Sequence, residues 1–244
     1  MRLGTFSHSL RGLPALVCVW VGLCCAAIAQ TAPMDEQAIV HGIDTAVKAR
    51  LDATLGYTVI EHYQVFRGGD EVHPAAEMSV KTTYVKETGK EYAIQSRTGS
   101  ESIQKFVLDS ILDSEKHINE PGVREGSWMT SDNYAMKLKP GGVEHVDGKD
   151  CYVLSVTPRQ KGPGLIEGTL WVDAGDESIV RVEGETTKNV SIFTGTTKVM
   201  RQYAKVEGFS EATHARAETG SFLFGTTIVT IDYSGYEMRI RATK

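Results

Sequence analysis

The feature that most constrains the fold is a nearly continuous series of β-patterned segments between residues 133 and 240. Asp147-Gly148 is typical of a two-residue hairpin turn, in which both positions favour a positive φ. The segment 165–184 (LIEGTLWVDAGDESIVRVEG) has the same design, with two apolar-rich runs around a short polar stretch. We predict seven strands, at 133–146, 149–158, 166–173, 179–187, 196–207, 211–220 and 225–240. Strands joined by such short turns indicate an antiparallel meander, and therefore a mainly β sandwich or barrel-like sheet.

Two helices are predicted before residue 133. Residues 34–55 have apolar side chains at spacings of three and four, Asp35 and Glu36 stand in the first turn, and Gly56 is expected to end the helix. A second helix over 102–118 has an apolar stripe formed by Ile103, Phe106, Val107 and Ile111.

Three further strands are predicted in the same part of the chain. Residues 57–67 are rich in aromatic and β-branched side chains, which favour a strand. Strands 78–87 and 90–98 are joined by the compact turn Thr88-Gly89. The chain therefore has about ten strands, and the segment 119–131 is expected to be a covering loop or lid.

The alternation of side chains predicts which residues share a face of the sheet. If Val172 pairs with Val180, one face of the hairpin carries Leu170, Val172, Val180 and Val182. An earlier strand continues this apolar face with Tyr152, Leu154 and Val156. On the opposite face, Trp171 and Arg181 can stack across the two strands. The sheet is therefore expected to be half-buried, with one apolar side to cover.

The first 29 residues predict export from the cytoplasm. Arg2 and Arg11 precede an apolar run over 13–28, and no acidic residue is present. Ala27 and Ala29 supply the small side chains that a signal peptidase requires. We expect cleavage after Ala29, which makes the first 29 residues a signal peptide and the remainder a periplasmic protein.

Two alternatives to a cleaved signal peptide are open. The apolar run is only slightly short of a membrane span, so it could be an uncleaved anchor. A lipid-modified Cys24 or Cys25 is less favoured, because neither follows the small residue that such a site requires. After cleavage, residues 30–244 form one predicted domain in which Cys151 is the single cysteine, so its stability must come from core burial without an intramolecular disulfide.

Motifs for catalysis or metal binding are absent from the sequence. No G-x-S-x-G elbow, H-E-x-x-H pair or P-loop occurs, and the histidines are scattered. Glu61 and His62 are strand neighbours that point to opposite faces, so they do not make a catalytic dyad. Cys151 has only Lys149 close by to activate its thiol, which favours a buried filler. We expect a non-enzymatic protein with no metal and no cofactor.

Three strings resemble the LolA/LolB-like superfamily of bacterial outer-membrane lipoprotein-sorting proteins: EHYQVFRGGD, GTLWVDAGDESIVRVEG and TIVTIDYSGYEM. Within them, Trp171-Val172-Asp173 and the strand over 179–184 carry the closest likeness, and the resemblance spans residues 34–240. It implies a curved, incomplete antiparallel β-barrel of about ten to eleven strands, with helices covering the concave face. It also implies an apolar cavity that receives acyl chains, and an arginine on an early strand that latches the lid, for which Arg67 and Arg97 are both candidates.

The leading hypothesis is a monomeric periplasmic carrier or receptor that binds lipidated or acylated molecules. The apolar residues Tyr152, Leu154, Val156, Leu170, Val172, Val180 and Val182 would line its cavity. Acyl chains or lipoproteins are the expected ligands, and a membrane protein is the expected transient partner. The net charge of −5 offers no basic face for nucleic acid. A regulatory, sensor or partner-binding module on the same fold is the alternative, and a hydrolase comes third.

Overall fold

Ten strands and two helices make up the computed structural model, which describes residues 34–162, 164–188, 196–221 and 225–242. Helix α1 spans Glu36–Ala53. Helix α2 consists of three consecutive pieces, namely α-helical Glu101–Ile103, a π-helical turn over Gln104–Leu108 and α-helical Asp109–Ile118. The strands are β1 Thr54–Arg67, β2 Ala76–Val85, β3 Gly89–Gly99, β4 Tyr134–Val146, β5 Lys149–Pro158, β6 Ile166–Asp173, β7 Ile179–Thr186, β8 Thr197–Val206, β9 Phe209–Ser221 and β10 Gly225–Ile240.

The expected cleavage after Ala29 lies outside the described residues and stays a prediction. From residue 34 onward the chain forms one compact unit by its contacts. Cys151 is a free, buried cysteine. Among the residues described, neither helix has the length and apolar character needed to cross a membrane.

All ten strands belong to one open antiparallel sheet in the order β3-β2-β1-β10-β9-β8-β7-β6-β5-β4. The first and last strands are neighbours, with Tyr63 opposite Ile231 and Val65 opposite Val229. Strands β3 and β4 are consecutive in the chain but form the two edges of the sheet. This arrangement confirms the predicted mainly β, incomplete barrel, with ten strands and helices on one face.

The connection between β3 and β4 has to reach from one edge of the sheet to the other. Nine strand spacings of about 4.8 Å put the two edges roughly 43 Å apart along the sheet. The 18 residues of α2, the largest part of that connection, extend only about 27 Å. A curved sheet brings its edges closer together, so α2 and the segment after it can cross the concave face.

Helix α1 begins at a well-formed N-cap. The carboxylate of Asp35 accepts hydrogen bonds from the backbone N–H groups of Gln37 and Ala38 at 3.0 and 3.2 Å. The helix ends at Ala53, and β1 follows at once, so the expectation that Gly56 ends the helix is wrong. Gly56 lies inside β1, where a Cβ atom would approach the carbonyl oxygen of Tyr84 to 2.5 Å. Glycine is therefore needed there for strand packing.

Helix α2 turns most of its predicted apolar stripe to the sheet, because Ile103 is buried and Val107 and Ile111 pack against the cluster beneath the helix. The predicted stripe includes Phe106, but this side chain is 65 % exposed, whereas Ile103, Leu108 and Leu112 are buried. The π-helical turn adds a residue, so the buried positions are spaced five and then four apart. Gln104 stabilises the turn, because its side-chain amide donates to the carbonyl oxygens of two sheet residues at 2.6 and 2.7 Å.

Two apolar clusters lie on the concave face, one under each helix. The cluster under α2 joins it to β1, β2 and β10, through Tyr63, Val65, Ala76, Met78, Val80, Ile103, Leu108, Leu112 and Val229. The cluster under α1 joins Ile39 and Ile43 of the helix to β4, β5, β6 and β7. The strands between the two clusters, β8 and β9, are left with less apolar cover.

Candidate functional site

Most of the predicted cavity residues lie in the filled cluster under α1. Leu154, Val156, Leu170, Val172 and Val182 are each at most 2 % exposed and pack with Ile39 and Ile43 of α1. Tyr152 is partly buried against the same cluster. The structure therefore brings six of the seven residues together in a buried cluster, and their role as a ligand cavity stays a prediction. Of these residues, Val182 also lines a cavity, which adjoins this cluster.

The β6–β7 hairpin has a bulge that changes the predicted register. Leu170 pairs with Val182 as expected, but Val172 faces Ile179 and not Val180, because the register shifts between Trp171 and Val172. Ile179 consequently packs against the cluster under α1, and Val180 is buried outside it. On the convex face the expected stacking is present, with the Arg181 guanidinium 5.6 Å from the Trp171 ring centre.

A cavity of about 300 Å³, here called the α1 cavity, lies beside the filled cluster. Its apolar wall comes from the C-terminal half of α1, from the segment after α2 and from β6 and β7, whereas β8 contributes Arg201, Tyr203 and Lys205. The main apolar contributors are Ala46, Val47, Leu51, Trp128, Met129, Ile166, Ile179 and Val182. Trp128 and Met129 fall in the segment predicted to be a covering loop, and Asp44 of α1 holds this segment by accepting hydrogen bonds from the backbone and hydroxyl of Ser131.

A second cavity of about 120 Å³, the α2 cavity, lies beneath the C-terminal part of α2. Ile111 and Ile118 of the helix form its roof. Its floor is β9 with its neighbours, where Ala217 faces Val199 on one side and Val229 on the other. Because alanine reaches only a short distance above the sheet, the floor is low at this point and the space above it remains open.

The two cavities follow each other along strand β8. Arg201, Tyr203 and Lys205 alternate along the strand and line the α1 cavity, whereas Thr197, Val199 and Arg201 line the α2 cavity. Gly164, Ile166 and Arg201 are common to both walls, so the cavities adjoin. From Thr197 to Lys205 the strand rises roughly 26 Å. The site is thus elongated. It is mainly apolar at the α2 end, where Glu115 and Arg216 also line the wall, and it is cationic at the α1 end.

A partly buried ion pair anchors α1 beside the larger cavity. The guanidinium of Arg50 donates two hydrogen bonds to the Glu211 carboxylate, at 2.9 and 2.6 Å. The Glu211 side chain is only 2 % exposed. Burial on its own would lower the pKa of Arg50, but the charge and hydrogen bonds of Glu211 outweigh it and raise that pKa. Arg50 is therefore a fixed cation in the cavity wall.

A second ionic bridge crosses the concave face. Glu115 of α2 accepts hydrogen bonds from Lys90 on β3 at 3.3 Å and from Arg201 on β8 at 3.4 Å. Burial alone would raise the pKa of Glu115, but the two cations, together with hydrogen bonds, lower it below its ordinary value. Arg97, one of the two candidate latch arginines, donates to Asp109 of α2 at 2.5 Å. Several ionic contacts thus hold α2 over the sheet.

Glu61, His62 and Cys151 do not form a catalytic group in the structure. Glu61 is buried and accepts a hydrogen bond from the Tyr63 hydroxyl, whereas His62 contacts Glu77. Burial raises the pKa of the Cys151 thiol, which disfavours the reactive thiolate. Across the described ranges, no group of three or more His, Cys, Asp or Glu side chains is placed to hold a metal ion.

Sequence reasoning missed the charged residues of the site. Arg50, Glu115, Arg201, Lys205 and Glu211 stand on four different elements, and nothing in the local pattern of any one element marks its partner. The one available signal was the alternation of Arg201, Tyr203 and Lys205, which places three polar side chains on the face of β8 that should have been apolar.

Comparison with known proteins finds similarity to solved structures. The chain resembles a LolA superfamily protein from Nitrosomonas europaea, with a TM-score of 0.47 and 12% identity over 84% of this chain and 94% of that one. A DUF1329 family protein from Desulfovibrio piger has a TM-score of 0.42 and 17% identity, over 84% and 95% of the two chains. A domain described as an outer membrane lipoprotein-sorting protein, from Vibrio parahaemolyticus, has a TM-score of 0.47 and 13% identity, over 81% and 91%. No protein-family model and no curated protein sequence matches the chain.

Proposed function

We propose that this protein is an exported, non-enzymatic carrier or receptor that takes an acyl chain into the space between its helices and its sheet. The observation that carries the proposal is the pair of adjoining cavities along β8, covered by α1 and α2. The combined volume of the two cavities falls in the range that small-molecule binding sites occupy in proteins. The filled cluster under α1 supplies the rigid wall against which the ligand would lie.

Unfilled apolar space inside a folded protein is energetically unfavourable. A void in a protein core forfeits dispersion contacts, and a wet apolar surface forfeits the hydrophobic free energy. Each methylene group that enters such a space contributes about 0.8 kcal/mol. An acyl chain above Ala215 and Ala217 would supply the contacts that the floor of the α2 cavity does not make.

The proposed setting follows from the predicted signal peptide. An exported carrier in the periplasm would meet lipids and lipoproteins in transit between membranes. We propose acylated molecules as the cargo, with lipoproteins among them, and a membrane protein as the transient donor or acceptor. A regulatory or partner-binding module on the same fold is the second candidate, and it is favoured by the completely filled cluster under α1.

The test is binding of fluorescent fatty-acid analogues of increasing chain length to the purified protein. Two extra carbons should tighten binding more than tenfold until the space is full, because about 1.6 kcal/mol is added where 1.4 kcal/mol is a factor of ten. Replacing Ala217 with Leu fills the floor of the α2 cavity and should weaken binding of the longest analogues most.

The matched control is Ala204→Leu, the same substitution at an exposed position of β8 that lies outside both cavity walls. It should leave the whole chain-length series unchanged. Equal affinity for short and long analogues would contradict the carrier proposal and favour a partner-binding module. Equal effects of Ala217→Leu and Ala204→Leu on binding would also contradict the carrier proposal.

A further inference from the structure

The ionisable side chains in the wall of the α1 cavity carry one sign of charge, although the chain as a whole is acidic. Arg50, Arg201 and Lys205 line this cavity, and no Asp or Glu is found among the described residues of its wall. A cleft lined by one sign of charge between walls of low dielectric constant concentrates ligands of the opposite sign. The polar end of the site therefore favours an anion.

The three cations are held in place by carboxylates that stand outside the wall of the α1 cavity. Glu211 binds Arg50 at 2.6 Å, Glu115 binds Arg201 at 3.4 Å, and Asp176 binds Lys205 at 2.9 Å. Hydrogen bonds to the carboxylates use only part of the donor capacity, because a guanidinium has five N–H donors and an ammonium has three. The cations are thus positioned in advance and retain donors for a ligand.

The order of residues along β8 gives the site a direction. Lys205 lies at one end, Arg201 lies where the two cavities meet, and the mainly apolar end near Val199 continues under Ile111 and Ile118 of α2. Glu115, the partner of Arg201, lines this second cavity. The cationic part of the path is also the more exposed one, since 40% of the Arg201 side chain and 34% of the Lys205 side chain are accessible, whereas Thr197 at the other end is 5% exposed. A ligand that matches the path has a charged end near Lys205 and an apolar end beneath α2.

We propose that the ligand is a single-chain amphiphile with an anionic head group, either a carboxylate or a phosphate. The head group binds Arg50, Arg201 and Lys205 in the α1 cavity, and the chain passes Ile166 into the α2 cavity. This inference rests on the proposed function, because it names the chemical class of the acyl ligand.

The experiment compares amphiphiles that share a palmitoyl chain and differ in the head group. Palmitate and palmitoyl lysophosphatidate are anionic, palmitoyl lysophosphatidylcholine is zwitterionic, and monopalmitoylglycerol is neutral. Each displaces a neutral fluorescent chain probe from the purified protein, below the critical micelle concentration. Both anionic compounds should bind at least tenfold more tightly than monopalmitoylglycerol, and added salt should reduce that ratio. Inorganic phosphate and acetate, which lack a chain, should not displace the probe.

A matched pair of variants tests the position of the head group. Lys205→Gln should reduce the anionic-to-neutral affinity ratio several-fold and leave the affinity for monopalmitoylglycerol unchanged. Lys198→Gln removes a lysine from the same strand, outside the α1 cavity, and should change neither value. If Lys205→Gln does not fold, the head-group series and its salt dependence on the unmodified protein still decide the question.

The outcomes separate this inference from the proposed function. Equal binding of anionic and neutral amphiphiles would overturn the inference and leave the acyl carrier intact. Displacement of the probe by inorganic phosphate or acetate alone would overturn it in favour of a simple anion site. If no palmitoyl compound bound to the protein or displaced the probe, the inference and the proposed function would both be wrong.

Discussion

From the ionic bridge across the concave face, we predict that Glu115→Gln destabilises the folded protein. The substitution keeps the shape of the side chain and removes the charge that Lys90 and Arg201 share. Removing one partner of a fully buried ion pair costs about 3–5 kcal/mol, because the other charge stays buried and unpaired. The side chains of Lys90 and Glu115 are 11% and 22% exposed, and that of Arg201 is 40% exposed. Solvent therefore reduces the expected loss to about 2 kcal/mol.

Urea unfolding measures this loss directly. With an m-value of about 2–3 kcal/mol/M, Glu115→Gln should lower the unfolding midpoint by roughly 1 M at neutral pH, with the m-value unchanged. Glu91→Gln is the control, since it also removes a carboxylate that binds α2, through Lys116 at 3.0 Å. That pair is exposed on both sides, and its loss should cost less than about 0.5 kcal/mol.

The difference in stability between the unmodified protein and Glu115→Gln should depend on pH. The pKa of Glu115 is lowered in the folded protein, so its ionised form stabilises the fold above the pKa of the unfolded chain. This contribution is lost as the pH falls through the folded pKa, below the ordinary value of 4.5. The difference between the unmodified protein and Glu115→Gln should therefore shrink on acidification from neutral pH. A constant difference, or an effect no larger than that of Glu91→Gln, would refute the bridge.

Three further predictions concern the rest of the chain. Intact-mass analysis of exported protein should give a chain that begins at Gln30, and a full-length chain or a lipid adduct on Cys24 or Cys25 would contradict cleavage after Ala29. Cys151→Ala should cost about 1–2 kcal/mol in a thermal melt, and reductant should not shift the unmodified protein's melting temperature, unless the cysteine pairs between molecules. Leu170→Ala should cost about 2–5 kcal/mol in urea unfolding, because its side chain is fully buried under α1, and a loss below 1 kcal/mol would mean that this half of the sheet is not filled.

Local patterns predicted the strands well because their information lies within a few residues. Asp147 and Gly148 have φ values of 50° and 79°, as the predicted two-residue hairpin requires. Strands β6 and β10 occupy the predicted ranges 166–173 and 225–240 without any change. In both cases alternating side chains and flanking turn residues specify the element without reference to the rest of the fold.

Irregularities within the elements were missed because they depend on tertiary packing. The bulge that places Ile179, and not Val180, opposite Val172 leaves the apolar composition of the hairpin unchanged. The π-helical turn that exposes Phe106 is stabilised by contacts of Gln104 with two strands, which no helical periodicity reports. One extra residue in either element is enough to move a side chain to another face.

The charged residues of the site are distant from one another in the sequence. Arg50 and Glu211 are 161 positions apart, and Arg201 and Glu115 are 86 apart. Their proximity follows from the strand order, in which the first and last strands are neighbours within the sheet. The apolar face could be deduced from one strand at a time, and it proved to be the wall beside the cavities. The cations in those cavities could be found only in three dimensions.

The most direct test of the central claim, that the space between the helices and the sheet takes an acyl chain, is native mass spectrometry. The protein would be purified without detergent from cells that export it, alongside the Ala217→Leu and Ala204→Leu variants. We predict an adduct of one acyl-chain lipid per protein molecule, released by solvent extraction, retained by Ala204→Leu and diminished in Ala217→Leu. Protein that carries no lipid from the cell and takes up none when mixed with palmitate would contradict the account.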